Sequence, residues 1–141
     1  MMDINIALKE SLALVERSPI AMVGSVDENG FPNIKAMLNL EYDCLKTIWF
    51  STNTSSTRVA QFTRNHKACV YYVDQEKFMG LLLVGRIQVQ HDTLSRQRLW
   101  RTGFEKYYPL GVADPDYSVL CFTSERGNYY HALKNLWFDV E

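Results

Sequence analysis

Trp49-Phe50-Ser51-Thr52-Asn53-Thr54-Ser55-Ser56-Thr57-Arg58 is the stretch on which the rest of the chain turns. It opens as the end of a buried strand, because Leu45, Ile48, Trp49 and Phe50 form an apolar, partly β-branched run. A hydroxyl-rich loop without Gly or Pro follows. From Thr57 the residues Arg58-Val59-Ala60-Gln61-Phe62 read as a short helix, with Ser56 or Thr57 placed to cap it. A helix start leaves backbone N–H groups unpaired and carries partial positive charge, so hydroxyls and a guanidinium beside it suit an anion. Arginine can grip phosphate oxygens with two N–H groups at once. The same ten residues also fit an ordinary strand-to-helix connection whose hydroxyls only cap. On this stretch alone both readings stand.

Upstream, residues 3–17 are expected to be helical, with Asp3 as cap and Ile4, Leu8, Leu12 and Val15 on one apolar stripe. Ser18-Pro19 ends that helix. A strand over Ile20–Val26 leads through the turn Asp27-Glu28-Asn29-Gly30 to a second strand over Phe31–Leu40, with Pro32 early, where a missing N–H costs least. A turn at Glu41–Cys44 enters the strand ending at Phe50, and the three strands are expected to form a meander. Downstream, Ala68–Val73 and Phe78–Gln90 read as strands, the second interrupted by Gly80 and Gly85, which mark a bulge or a close backbone approach. Asp92 or Thr93 caps a helix expected over Leu94–Lys106, and a loop runs over Tyr107–Asp116. Tyr117–Thr123 is a strand, and Asn128–Val140 supplies one or two more, turning near Lys134-Asn135. Six or more short, hairpin-linked strands argue for a closed or nearly closed antiparallel barrel.

At 141 residues the chain is one domain with room for a real core. Its 47% hydrophobic and 22% charged residues are ordinary for a soluble globular protein. A net charge of −1 provides no global field to draw nucleic acid or an anionic membrane, so neither is expected as a partner. Aromatic residues, at 13%, are abundant enough to favour a planar ligand or an interface, although a β-rich core also uses them. Cys44, Cys69 and Cys121 are odd in number and far apart, as expected of reduced thiols in a cytoplasmic protein. No signal peptide is read at the start, and the longest apolar run, Phe78–Val84, is too short to span a bilayer. His66, His91 and His131 lack metal-like spacing, and no nucleophile elbow is present, so neither a metal site nor hydrolase chemistry is expected.

Two segments point further. Pro32-Asn33-Ile34-Lys35-Ala36-Met37, followed by Trp49-Phe50-Ser51-Thr52-Asn53 and Ser56-Thr57-Arg58, resemble the flavin site of the pyridoxamine 5′-phosphate oxidase-like split barrels. Gly85 and Asp92, then Leu99-Trp100, Tyr107-Tyr108-Pro109-Leu110-Gly111, Asp114-Pro115 and Tyr129-Tyr130, are similar to the general stress protein branch of that family. The resemblance runs from about Ile20 to Val140 and rests on the order of several motifs. It implies a mainly β fold with peripheral helices, an antiparallel split β-barrel of Greek-key type. It also implies a homodimer with flavin mononucleotide (FMN) in each of two clefts at the subunit interface.

Carried over residue by residue, Lys35 takes the place of a basic residue, commonly Arg, at the FMN phosphate. Ala36 and Met37 would offer main-chain groups to the isoalloxazine edge. Ser51 and Thr52 stand where the family contacts the ring or ribityl chain. Ser56, Thr57 and Arg58 match the phosphate end, with Thr57 replacing a basic residue. Three departures bear on substrate. Leu40 occupies the position of a lysine that grips substrate phosphate in the true oxidases, Gly80 that of a partner glutamine, and the late Trp and Arg have no clear counterpart, although Trp137 could play a related part. Vitamin B6 oxidation is therefore not expected. The expectation is an FMN-dependent oxidoreductase passing electrons between NAD(P)H and a small acceptor. The alternatives are a non-catalytic flavin-binding stress protein, or the same barrel holding haem or deazaflavin.

Overall fold

The computed structural model describes residues 2–141. Eight strands form one antiparallel sheet: β1 (Ile20–Val26), β2 (Pro32–Leu38), β3 (Glu41–Asp43), β4 (Thr47–Asn53), β5 (Lys67–Asp74), β6 (Met79–Gln90), β7 (Tyr117–His131) and β8 (Lys134–Asp139). Three α-helices accompany it: α1 (Ile4–Arg17), α2 (Thr57–Arg64) and α3 (Thr93–Leu99). The strand order is β2-β1-β5-β6-β7-β4-β3, with β8 also on β7. Non-consecutive neighbours such as β1–β5 and β4–β7 make this a Greek-key path. The sheet curls into an antiparallel split barrel, as the sequence leads one to expect. The split lies between β2, which pairs only with β1, and β4, which pairs with β3 and β7.

That pairing replaces the expected meander. β4 carries alternating buried residues, Ile48, Phe50 and Thr52, and this inward row packs into the core when β4 lies along β7. β2 has only Met37 buried and stays an edge strand. β4 also runs to Asn53 rather than stopping at Phe50, so Ser51 and Thr52 are strand residues with fixed directions.

The other elements follow local chemistry. Asp3 caps α1 by accepting from the Asn5 N–H at 2.7 Å. The buried row of α1 is Ala7, Ser11, Leu14 and Val15, turned by about 70° from the stripe expected, with Val15 common to both, and Ile4 and Leu8 face outward. Small Ala7 and Ser11 let the helix approach the barrel closely, a signal that periodicity of large apolar residues misses. α3 ends at Leu99, well before Lys106, because Trp100 turns extended and Gly103 takes a left-handed conformation (φ +100°). The chain then forms a strap of two short 3₁₀ turns, Phe104–Lys106 and Gly111–Ala113. β7 continues through Ser124–Gly127 and turns at Ala132-Leu133, both at positive φ.

The long β6–β7 ladder bends at a bulge. Val84 faces Arg126 while Gly85 faces Ser124, leaving Glu125 unmatched. A Cβ on Gly85 would overlap the Thr123 carbonyl oxygen. Gly85→Val is therefore expected to destabilise the chain by about 3 kcal/mol, read as a lower urea midpoint at unchanged m-value. Gly80 answers a different need, leaving space for the Tyr71 hydroxyl end.

Candidate functional site

The hydroxyl-rich loop after β4 is fastened to the loop before β7. The Thr54 N–H donates to the Asp116 carbonyl at 2.7 Å, the Ser55 N–H to the Asp116 carboxylate at 2.8 Å, and the Thr54 hydroxyl to the Pro115 carbonyl at 2.9 Å. Asp114 holds that second loop in turn, accepting from the N–H groups of Leu110 (3.1 Å) and Asp116 (2.9 Å). Ser56 caps α2 by accepting from the Val59 N–H at 3.3 Å. Thr54, Ser55 and Ser56 thus fix the entry to the helix, and Ser51, Thr52 and Arg58 are left facing the split.

A cleft of about 210 Å³ lies there, lined by Ala36, Met37 and Leu38 of β2, Ser51–Asn53 of β4, Arg58 of α2, and side chains from the strap. Arg58 sits at its polar end. One terminal nitrogen of its guanidinium is 3.5 Å from the Thr52 hydroxyl, too long for a strong bond, and its Nε is buried with no acceptor. A buried charged donor left unpaired costs free energy that an anion would recover. Thr57 and Arg58 also begin α2, whose first N–H groups have no intrahelical partner, that of Val59 being taken by Ser56.

Of the residues marked in the sequence, Ala36, Met37, Ser51, Thr52 and Arg58 share the cleft wall. Ser56 stands one contact behind, 3.4 Å from the Thr52 hydroxyl, and Thr57 is exposed on the first helical turn. Lys35 does not line the cleft. It is exposed and makes no hydrogen bond or ion pair among the described residues, yet it shares the inward face of β2 with Met37, opposite Val23. Further along that face Asn33 opposes Ser25, whose hydroxyl is bonded to Gln61 of α2. Lys35 and Arg58, one turn before Gln61, therefore lie on the side of β2 that α2 covers.

The strap adds Phe104, unmarked in the sequence, to the Tyr107-Tyr108 pair quoted for the resemblance. Phe104, Tyr107 and Tyr108 complete the wall opposite β4, and Leu38 and Leu40 extend it. Phe104 was hidden in a region read as helix. Trp100, one of the residues that carry the family resemblance, lies behind the wall. It forms an aromatic cluster with Phe104 (5.6 Å), Tyr108 (6.2 Å) and Tyr117 (5.2 Å). Trp137 is on β8, half-exposed beneath the Arg126 guanidinium at 4.5 Å. The Tyr117 hydroxyl is 3.1 Å from that of Ser51 and donates to the Arg96 carbonyl at 3.3 Å, tying α3, β7 and β4 together.

Burial pushes Tyr108 up to about 12, helped by Tyr117, Asp116 and Asp114 and opposed by Arg58. Burial also raises Tyr117, against its bond with Ser51. Both phenols stay protonated and able to donate at neutral pH. In the unfolded chain a tyrosine ionises near pH 10. The folded state therefore keeps its full stability from these groups below about pH 10 and loses it as pH rises from there to about 12. Urea midpoints measured across that window are expected to fall with pH, less steeply in Tyr108→Phe. Among the described residues no three His, Cys, Asp or Glu gather to hold a metal, and no helix is long and apolar enough to cross a membrane.

Comparison with known proteins agrees with this architecture. The family described as pyridoxamine 5′-phosphate oxidase like is matched over residues 7–139. A Clostridium acetobutylicum protein related to general stress protein 26 of B. subtilis (pyridoxinephosphate oxidase family) is 54% identical, with 99% of this chain and 97% of that one covered and a TM-score of 0.88. General Stress Protein 26 from Bacillus anthracis shares the fold at 14% identity, with 93% and 98% covered and a TM-score of 0.76. So does a heme binding protein from Mycobacterium smegmatis, at 12% identity, with 94% and 57% covered and a TM-score of 0.77. No curated protein matches. The chain belongs to the pyridoxamine 5′-phosphate oxidase-like family.

Proposed function

We propose that this protein binds FMN as a homodimer and passes electrons between NAD(P)H and a small acceptor in the cytoplasm. The observation that carries the reading is the Arg58 guanidinium, whose buried Nε lacks an acceptor at the polar end of the cleft. A phosphate monoester, with a charge of roughly −1.5 to −2, fits that donor, the α2 N-terminus and Lys35 nearby. Lys35 offers a point charge where Arg would offer a fork, so Arg58 carries the directional contact. Ser51 and Thr52 would receive the ribityl hydroxyls, and the edge of β2 at Ala36 and Met37 the ring. Bound FMN would supply hydride transfer at its ring, and the protein's part is to position it and exclude water.

The second copy of the chain has two supports. About 210 Å³ is less than the roughly 300–1,000 Å³ of sites that enclose drug-sized ligands, so one chain forms part of a site. Alongside, the outer face of β1, β2, β5 and β6 is largely apolar, with Lys67, Arg86 and Glu125 as its charged residues around the depression. Ile20 and Met22 are exposed there, Ile34 is 64% and Leu38 52% exposed, and a depression of about 640 Å³ passes over Ile34, Cys69 and Val84. Such a face marks an interaction surface. Leu38 belongs both to it and to the cleft wall, so a copy seated on the face would also close the cleft.

The purified protein is expected to be yellow, with flavin absorption that bleaches when NADPH or NADH is added without oxygen. A colourless protein that FMN cannot reconstitute would refute the cofactor. A Soret band would put haem in the barrel, and a stable yellow protein that turns over no nicotinamide would favour the non-catalytic flavin-binding alternative.

A further inference from the structure

The cleft has a second end, which the phosphate reading leaves unused. Its wall is Leu38, Leu40, Phe104, Tyr107 and Tyr108, and the cleft lining holds no carboxylate and no cation besides Arg58. The charges around this end are engaged elsewhere: Asp114 and Asp116, which act on Tyr108, accept from backbone N–H groups of Leu110, Asp116 and Ser55. Glu41 lies 3.7 Å from Arg98 and 3.8 Å from Arg101, Arg98 stacks on Trp49 at 3.8 Å, and Arg101 donates to the Leu40 carbonyl at 3.2 Å. Among the described residues lining the cleft, an anion at this end would meet no cation but Arg58, which the phosphate takes.

Two side chains there are unfinished. Trp100, Phe104, Tyr108 and Tyr117 pack on one another with centroids 4.8–6.5 Å apart, but Tyr107, next in the chain to Tyr108, joins none of these pairs and is 74% exposed. An exposed ring rimming an apolar wall is a stacking surface. Most of Tyr108 is buried, but its hydroxyl is not among the buried unpartnered atoms: it makes no hydrogen bond among the described residues and opens to solvent. It is a donor that no protein group occupies, open to an acceptor entering the cleft.

The geometry points to this end of the cleft as a subsite for an uncharged planar aromatic carbonyl compound, a quinone in the simplest case, stacked on Tyr107 with its carbonyl accepting from Tyr108. The assignment rests on the reading that Arg58 takes the FMN phosphate, because that leaves only the apolar end for a second ligand. Leu40 is the residue that sets the class: a lysine in its place would add a cation for an anionic substrate.

The experiment is calorimetric titration of the FMN-loaded protein with 2-methyl-1,4-naphthoquinone and with its sulfonated derivative. The neutral quinone is expected to bind at least about tenfold tighter. Tyr108→Phe and Tyr107→Ala are each expected to weaken it about fivefold or more, and Leu40→Lys to reverse the preference toward the sulfonate. A reversal is a gain that misfolding cannot produce. Equal or tighter binding of the sulfonate by the native protein, or full neutral-quinone affinity in both tyrosine variants, overturns the subsite. The visible spectrum of the same samples separates the two readings. Lost selectivity in a fully yellow protein sinks the subsite alone, and a colourless protein that still selects the neutral quinone sinks the cofactor alone.

Discussion

Arg58→Ala is expected to weaken FMN binding by about 10- to 100-fold, from loss of charge-assisted hydrogen bonds of roughly 1.5–3 kcal/mol. Nothing else in the lining can replace it, because Ser51, Thr52 and Asn53 are neutral. The fold should tolerate the change. Arg58 makes only a 3.5 Å contact to Thr52, and α2 is held by Val59, Gln61 and Phe62 on its buried side and by the Ser56 cap. Adding Lys35→Ala should extend the loss, though by less than Arg58→Ala alone, because Lys35 is exposed and reaches the phosphate as a screened point charge. Fluorescence titration with FMN, beside a thermal melt of each variant, checks both statements. Unchanged affinity in the double variant would mean that the anion site lies elsewhere.

Met22→Glu with Ile34→Glu is expected to halve the sedimenting mass, to that of one 16.4 kDa chain. Both side chains point outward on the β1–β2 ladder, where Met22 pairs Ala36 and Ile34 pairs Gly24, and neither lines the cleft. Carboxylates placed there on an exposed surface leave the folded chain nearly unaffected, but in a dimer they would be buried unpaired, at a cost of several kcal/mol. FMN affinity should fall together with the mass if the second copy closes the cleft. A native chain that sediments as a monomer, or a variant dimer as tight as the native one, would refute the shared site.

Much of this was legible from local chemistry. Asp3 and Ser56 announced their helices, Gly85 its bulge, and the ten residues from Trp49 the strand, loop and helix that carry Arg58. What escaped depends on partners distant in the chain. Whether β4 lies on β2 or on β7 is decided by where Ile48, Phe50 and Thr52 find a core, which no window of sequence contains. α1 turned its Ala7–Ser11 side inward because close approach outweighed the area of Ile4 and Leu8. The helix was expected to run on to Lys106 with a loop from Tyr107, and it is the turn at Trp100 and the left-handed Gly103 that bring Phe104 to the cleft beside Tyr107 and Tyr108. The polar half of the site was therefore readable, and of the aromatic half Tyr107 and Tyr108 were marked but Phe104 was not.

The central claim is that a phosphate sits against Arg58. Titrating the apoprotein with FMN and with riboflavin, which lacks only that phosphate, measures it directly. The account predicts FMN binding tighter than riboflavin by about 100-fold or more, with most of that preference gone in Arg58→Ala. Equal affinity for the two flavins in the native protein, or a preference untouched by the substitution, would contradict it.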